Sequence, residues 1–244
     1  MRGVCRKYFL PGCLMFGAVA ALAWRLYCWR FDPVISRDGV LYISLIAAVR
    51  DGGIVSSGYG AGDLPPLLYV ASAAKLAALG MSVEAAAIGL NLICGALLPL
   101  LMFLICEQLW HDRKVSFAAL AMGIFYPPFV RWSYMIQRES LYLFLVAAAM
   151  LLALWSCRKR AYAGFFACGV VAALAVWTRY EGVELIVLLV GGALLKALFD
   201  RDSRRMMLRG NLLGVAGLVF GYLLTAWFVH QPLMYIFMKV RYRL

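Results

Sequence analysis

Long apolar runs follow one another along almost the whole chain, and they constrain its fold more than any other feature. A helix needs about 20 apolar residues to cross the hydrocarbon core of a bilayer. Runs near that length lie at residues 8–29, 85–106, 115–130, 140–156, 161–178, 182–199 and 211–229. Only 15% of the 244 residues are charged and 65% are hydrophobic, whereas soluble domains carry about a quarter charged residues. We therefore predict an all-α, polytopic transmembrane helix bundle with about seven spans.

A shorter apolar segment, residues 65–80, belongs either to a span or to the membrane interface. It contains Lys75 and is shorter than a typical span. If it does not cross, the basic clusters of the N-terminus and the short loops all fall on one side, as the positive-inside rule requires. These clusters are Arg2, Arg6, Lys7, Arg113, Lys114, Arg158, Lys159, Arg160, Arg201, Arg204, Arg205 and Arg209. We therefore interpret residues 65–80 as an interfacial helix.

This interpretation fixes a predicted topology. The N-terminus is cytoplasmic, and residues 30–83 form the first external loop of a multi-pass protein of the cell inner membrane. The net charge of +12 is explained by the basic loops, so no nucleic-acid partner is predicted. We expect one membrane module over residues 1–244, with no soluble domain.

The cysteines and histidines do not predict a metal centre. The seven cysteines include no Cys-x-x-Cys pair and are typical of small apolar packing residues. His111 and His230 are far apart in the sequence, whereas a zinc site needs about four ligands with recognisable spacing. We predict no cofactor and no dedicated metal site. A divalent ion between Asp38, Glu139 and a bound phosphate is the alternative.

Charged side chains gather at the external ends of the predicted spans. Such groups are costly beside lipid unless they pair with each other or serve a site. We therefore predict a pocket at this face. The residues concerned are Asp32, Arg37, Asp38, Asp51, Asp63, Lys75, Arg131, Arg138, Glu139, Arg179, Glu181, Glu184 and His230.

Four segments occur in an order that is typical of one enzyme superfamily. They read SRDGVLYISLIAAVRDGG, PPLLYVASAAKLAALGMSVEAAAIGLNLICGALLPLLMFLICEQLW, YPPFVRWSYMIQRESLYLFLVAAAMLLAL and AALAVWTRYEGVELIVLL. Together they resemble the membrane module of the GT-C glycosyltransferases, in the branch of protein O-mannosyltransferases and lipid A aminoarabinose transferases. The resemblance implies a glycosyltransferase that takes a sugar from a polyprenyl-phosphate carrier. The acceptor would be a lipid, glycan or protein at the external face.

The resemblance also implies roles for individual residues. The first external loop of these enzymes carries a pattern like Asp-Glu-x-x-Tyr, which Asp38 and Tyr42 match, with Gly39 in place of the second acid. Their second external loop carries an acid near the site, and Glu139 occupies that place. Asp38 and Glu139 are therefore the predicted catalytic residues.

The chemistry of this transfer asks for the same residue types. A base must take the acceptor proton, and cations must stabilise the departing phosphate. Asp38 is the candidate base. The predicted substrate-binding residues are Arg37, Tyr42, Lys75, Arg131, Arg138, Arg179 and Glu181.

Structural explanations compete with these roles and stay open at this point. Asp38 or Ser36 could cap the helix that follows. Long basic side chains such as Lys75 could simply reach the headgroups, and Arg179 with Glu181 could form a plain ion pair.

A different class of function also stays open. The chain could be a non-catalytic membrane scaffold, or a transporter-like subunit that handles a lipid-linked substrate with a partner subunit. Transporters often contain inverted repeats and broken helices near the midplane. No convincing repeat is present here, and the polar residues lie at span ends, which favours the enzyme.

Overall fold

The computed structural model describes residues 2–33, 35–52 and 67–229. Asp63 and His230 therefore lie outside the described residues. The described residues fold into ten α-helices and contain no strand. The helices are α1 (Arg2–Phe31), α2 (Arg37–Arg50), α3 (Leu68–Ala77), α4 (Val83–Trp110), α5 (Arg113–Phe125), α6 (Pro127–Tyr134), α7 (Glu139–Lys159), α8 (Tyr162–Thr178), α9 (Gly182–Phe199) and α10 (Arg204–Phe228).

Five of these helices are long and apolar enough to cross a membrane. They comprise Leu10–Phe31 of α1 and the whole of α4, α7, α9 and α10. Helix α8 has 17 residues, which is at the short end of the range for spanning helices. With 10 residues, α3 reaches only about 15 Å, so it cannot cross. The polytopic helical bundle is confirmed, and the non-crossing of residues 65–80 agrees with the short α3.

The predicted span at residues 115–130 is not one continuous helix. Helix α5 ends at Phe125, and α6 begins at Pro127 after a single extended residue, Tyr126. Pro127 and Pro128 have no backbone N–H, so neither can continue the hydrogen bonding of α5. The 13 residues of α5 cover about 20 Å, less than the hydrocarbon thickness of about 30 Å.

A fully buried arginine holds this break together. The guanidinium of Arg25, in α1, donates to Ser133 Oγ over 2.9 Å and to the carbonyl of Gly123 over 3.1 Å. In an unbroken helix the Gly123 carbonyl would accept from residue 127, but that residue is proline. Arg25 therefore replaces the missing donor and joins α1 to both α5 and α6. Arg25 was not among the predicted site residues.

Contacts between helix ends define two ends of the bundle. Arg179 meets Glu139, and the hydroxyl of Tyr134 donates to Asp32, where α1 and α8 end and α7 begins. We call this the site end. At the opposite end, Arg158 donates to Gln108, close to the last turns of α7 and α4. Since the short basic loops cluster there, we call it the basic end.

Glycines allow the closest helix contact, between α8 and α10. A side chain at Gly169 would collide with the backbone carbonyl of Gly214, and one at Gly217 with the carbonyl of Phe166. Only hydrogen fits at these positions, so the two backbones touch directly. Such small residues are how membrane helices pack tightly without a hydrophobic driving force.

Candidate active site

The site end is organised around the first turn of α2. Ser36 caps this helix, because its Oγ accepts from the backbone N–H of Gly39 over 3.1 Å. Asp38 lies one position into the first turn and is exposed. Of the two capping residues that the sequence offered, Ser36 is therefore the cap and Asp38 is not.

Tyr42 lies one turn after Asp38 and is only 6% exposed. Its ring packs edge-on against Tyr69 of α3, with the centroids 5.4 Å apart. Burial raises the pKa of Tyr42 to about 12, with Arg138 opposing the shift and Glu139 and Asp38 adding to it. The phenol is therefore neutral at physiological pH and lies among charged residues from α2 and the start of α7.

Hydrogen bonds join the segment between α6 and α7 to an asparagine of α4 and to the cap of α2. The Nδ2 of Asn91 donates to the carbonyls of Met135 and Gln137, each over 2.7 Å. Gln137 Nε2 in turn donates to Ser36 Oγ over 3.2 Å. This chain of bonds fixes residues 135–138 (the α6–α7 link) beside Ser36, the cap of α2. Asn91 was not among the predicted site residues. Its signal in the sequence is a polar amide inside an otherwise apolar span, and the structure shows it fully buried.

Arg179 gathers two carboxylates at the same end. Its Nη1 donates to Glu139 over 3.0 Å, and its Nε and Nη2 donate to the two oxygens of Glu181 over 3.3 and 3.1 Å. These bonds hold the pKa of Glu181 down to about 2. A side chain at Gly182 would come within 2.6 Å of the Val176 backbone nitrogen. Glycine thus permits the tight α8–α9 turn that presents Arg179.

Two charged atoms of the site have no partner among the described residues. Glu139 uses Oε1 for Arg179, and its buried Oε2 has no hydrogen-bond partner there. The buried Nη1 of the neighbouring Arg138 also has no hydrogen-bond partner among the described residues. Leaving a buried charged group unpaired is costly. The arrangement therefore fits a ligand that offers both a hydrogen-bond donor and an anion.

A comparison with known protein families assigns the chain to one of them. The family model described as dolichyl-phosphate-mannose-protein mannosyltransferase matches residues 63–230.

The chain belongs to the dolichyl-phosphate-mannose-protein mannosyltransferase family. It is therefore a membrane glycosyltransferase that uses a lipid-linked sugar, and the predicted GT-C family is confirmed. No curated protein and no solved structure matches it. The range matched to this mannosyltransferase family contains Arg138, Glu139, Arg179 and Glu181 but begins after Asp38.

Three of the predicted binding residues of this glycosyltransferase are placed differently from the charged cluster around Arg179. The ammonium of Lys75 lies 3.6 Å from the centre of the Phe228 ring. Arg131 is exposed on α6, and Arg37 is exposed at the first position of α2. The structure thus brings together Asp38, Tyr42, Arg138, Glu139, Arg179 and Glu181.

The side chains near the site bear on whether this member of the mannosyltransferase family binds a metal ion. In the described parts of the chain, no group of three or more histidine, cysteine or acidic side chains lies close enough to hold an ion. Two of the three nearby acids, Glu139 and Glu181, are bound to Arg179. Metal independence stays a prediction.

Proposed function

We propose that this protein transfers a sugar from a polyprenyl-phosphate carrier to an acceptor hydroxyl at the external face of the membrane. One observation carries the proposal. Arg138 Nη1 and Glu139 Oε2 are adjacent in sequence, buried and without a partner among the described residues. Arg138 can donate hydrogen bonds to an anion, and Glu139 can accept a hydrogen bond from a hydroxyl. A phosphate-linked sugar offers both groups.

Arg138 is our candidate for the phosphate. Guanidinium donors suit phosphate oxygens because their planar fork matches that geometry. Arg179 is the weaker candidate, since three of its donor bonds already go to Glu139 and Glu181. We assign Arg179 to positioning Glu139 instead. The predicted phosphate contacts of Arg131 and Lys75 receive no support from their placement.

Asp38 is our candidate base. In the proposed step the acceptor oxygen attacks the anomeric carbon and gives its proton to the Asp38 carboxylate. The bond from the anomeric carbon to the phosphate oxygen breaks, and polyprenyl phosphate leaves with the electron pair. Arg138 stabilises the charge on that phosphate as it develops. Glu139 Oε2 accepts a hydrogen bond from a hydroxyl of the sugar and so orients the ring.

The external location rests on charge. The basic end carries clustered arginines and lysines at the ends of α7 and the starts of α5 and α10. Positively charged loops favour the cytoplasmic side. If the basic end is cytoplasmic, then the site end with Asp38 and Glu139 faces outward.

The experiment separates carrier binding from transfer. The purified protein is reconstituted in vesicles, and two quantities are measured: binding of undecaprenyl or dolichyl monophosphate, and transfer of radiolabelled sugar from the corresponding donors. Asp38→Asn keeps the shape of the side chain but cannot take a proton. We expect it to bind the carrier normally and to lose transfer by about 10²–10⁴-fold. Arg138→Gln should weaken carrier binding itself.

Arg131→Gln is the matched control for Arg138→Gln, because it removes an exposed arginine of the same end. It should leave both quantities within about twofold of wild type. Equal transfer by wild type and Asp38→Asn would remove Asp38 from the chemistry. Carrier binding with no transfer by any form would favour the scaffold over the enzyme.

A further inference from the structure

A pocket lies in the half of the bundle that is remote from the site. Helices α7, α8, α9 and α10 enclose a cavity of about 270 Å³ between their side chains. This volume is close to the lower end of ligand cavities, about 300–1,000 Å³. Apolar side chains and glycines form nearly all of its lining, with Lys196 and Asn211 as the polar exceptions.

The cavity is open toward the surrounding lipid. Leu188 and Gly192 of α9 belong to its lining, and both are exposed, Leu188 by 72%. Gly169, Gly210 and Gly214 line it from α8 and α10. An apolar chain can therefore enter sideways from the bilayer.

A cation lies at one end of this apolar cavity. Lys196 is in the last turn of α9, at the basic end, and its side chain is exposed. The nearby Asp200 carboxylate accepts from the backbone N–H groups of Asp202 and Ser203, each over 3.2 Å. No ion pair to Lys196 forms among the described residues. The ammonium is therefore available to an anion at the headgroup level.

We propose that this cavity holds one acyl chain of an anionic glycerophospholipid, with the lipid phosphate at Lys196. The two halves of such a lipid match what the site offers, an apolar cavity beside a cation. Further arginines of the α9–α10 loop and of α10, Arg201 and Arg204 among them, favour an anionic headgroup at this end. Basic pockets between membrane helices are known to select anionic lipids. The proposal is independent of the transfer reaction at the site end.

Two neighbouring glycines provide a matched test of the cavity. A Cβ added at Gly191 or at Gly192 meets nothing within 4 Å. Only Gly192 lines the cavity. Gly192→Leu should therefore fill it without a clash, while Gly191→Leu adds the same side chain and helix propensity elsewhere.

The experiment uses the full chain in vesicles with an equal mixture of phosphatidylglycerol and phosphatidylcholine of identical acyl chains. After extraction in mild detergent, the retained lipid is counted by mass spectrometry. We expect about one phosphatidylglycerol per chain for wild type and Gly191→Leu, and at least a fivefold loss in Gly192→Leu. Equal retention by the two glycine variants would overturn the proposal, and so would no retained lipid in wild type.

The headgroup contact has its own control. Lys196→Gln should reduce the preference for phosphatidylglycerol by about fivefold, the effect of about one basic residue near a membrane surface. Lys159→Gln removes an exposed lysine of the same end that does not line the cavity, and should leave the preference unchanged. If undecaprenyl monophosphate at an equimolar amount displaces the lipid, the cavity belongs to the isoprenoid chain of the carrier and the phospholipid proposal is wrong.

Discussion

Asn91→Leu tests whether a single amide positions the charged residues of the site. The side chain is fully buried in α4, and leucine has a similar size without hydrogen bonds. The substitution removes two bonds of 2.7 Å, to the carbonyls of Met135 and Gln137, and a longer one of 3.2 Å to the Tyr69 hydroxyl. Both carbonyls belong to the α6–α7 link, which leads directly into Arg138 and Glu139. We expect this link to open more often while the helices stay folded.

The size of the effect follows from the two lost bonds to the link. Hydrogen bonds between membrane helices contribute about 0.6 kcal/mol on average, and those in soluble proteins about 0.5–1.5 kcal/mol. Two bonds therefore contribute about 1–3 kcal/mol. Since about 1.4 kcal/mol is a factor of ten, the open fraction of the link should rise about 5–150-fold. Carrier binding should weaken, because Arg138 is held by this segment.

The assay is hydrogen–deuterium exchange of the peptide that covers residues 133–142, followed by mass spectrometry. Local opening controls the exchange of protected amides. Phe103→Leu is the control, since it trims a fully buried residue further along α4, in a cluster with Leu120 and Ile124 that contains no residue of the link. It lowers stability without touching the two carbonyls. Equal exchange of the link in Asn91→Leu and Phe103→Leu would refute the positioning role.

Three further predictions concern charge, pH and packing. Glu139→Gln can still accept from Arg179 but lacks the negative charge that strengthens a hydrogen bond from the sugar, so transfer should fall about 10–150-fold with carrier binding retained. Arg179 holds the pKa of Glu181 at about 2, below its ordinary 4.5. The resulting stability is full above pH 4.5 and is lost as pH falls toward 2. Arg179→Met should remove about 1 kcal/mol of this pH dependence in acid unfolding, a small value because Glu181 is 42% exposed. Gly169→Val should lower thermal stability by about 1–3 kcal/mol through overpacking against α10, whereas Gly191→Val should not.

Each of these predictions has an outcome that contradicts it. Glu139→Gln with wild-type transfer would leave Oε2 without a role in the reaction. An acid unfolding profile that is unchanged in Arg179→Met would mean that the ion pair with Glu181 does not form in the membrane protein. Equal melting temperatures for the variants of Gly169 and Gly191 would show that α8 and α10 do not touch as described.

The sequence by itself determined the membrane class, the helical architecture and the family. Apolar runs of spanning length are a property of composition along the chain, and they need no knowledge of contacts. The same local information pointed to Asp38, Glu139 and Arg179, because charged residues at span ends are conspicuous. It misjudged residues 115–130, where hydropathy stayed high through Tyr126 although Pro127 stops the hydrogen bonding of α5.

Only the tertiary structure decided which of these charges meet. Arg138 and Arg131 look equivalent in the sequence, yet Arg138 is half-buried next to Glu139 with its Nη1 fully buried, and Arg131 is exposed on α6. Asn91 acquires its role through carbonyls 44 and 46 residues away. Hydropathy records how each residue interacts with lipid or water, whereas partners at long sequence separation depend on how the helices pack. The arrangement of the site is therefore decided by how the helices pack, whereas the helical bundle itself can be predicted from the sequence.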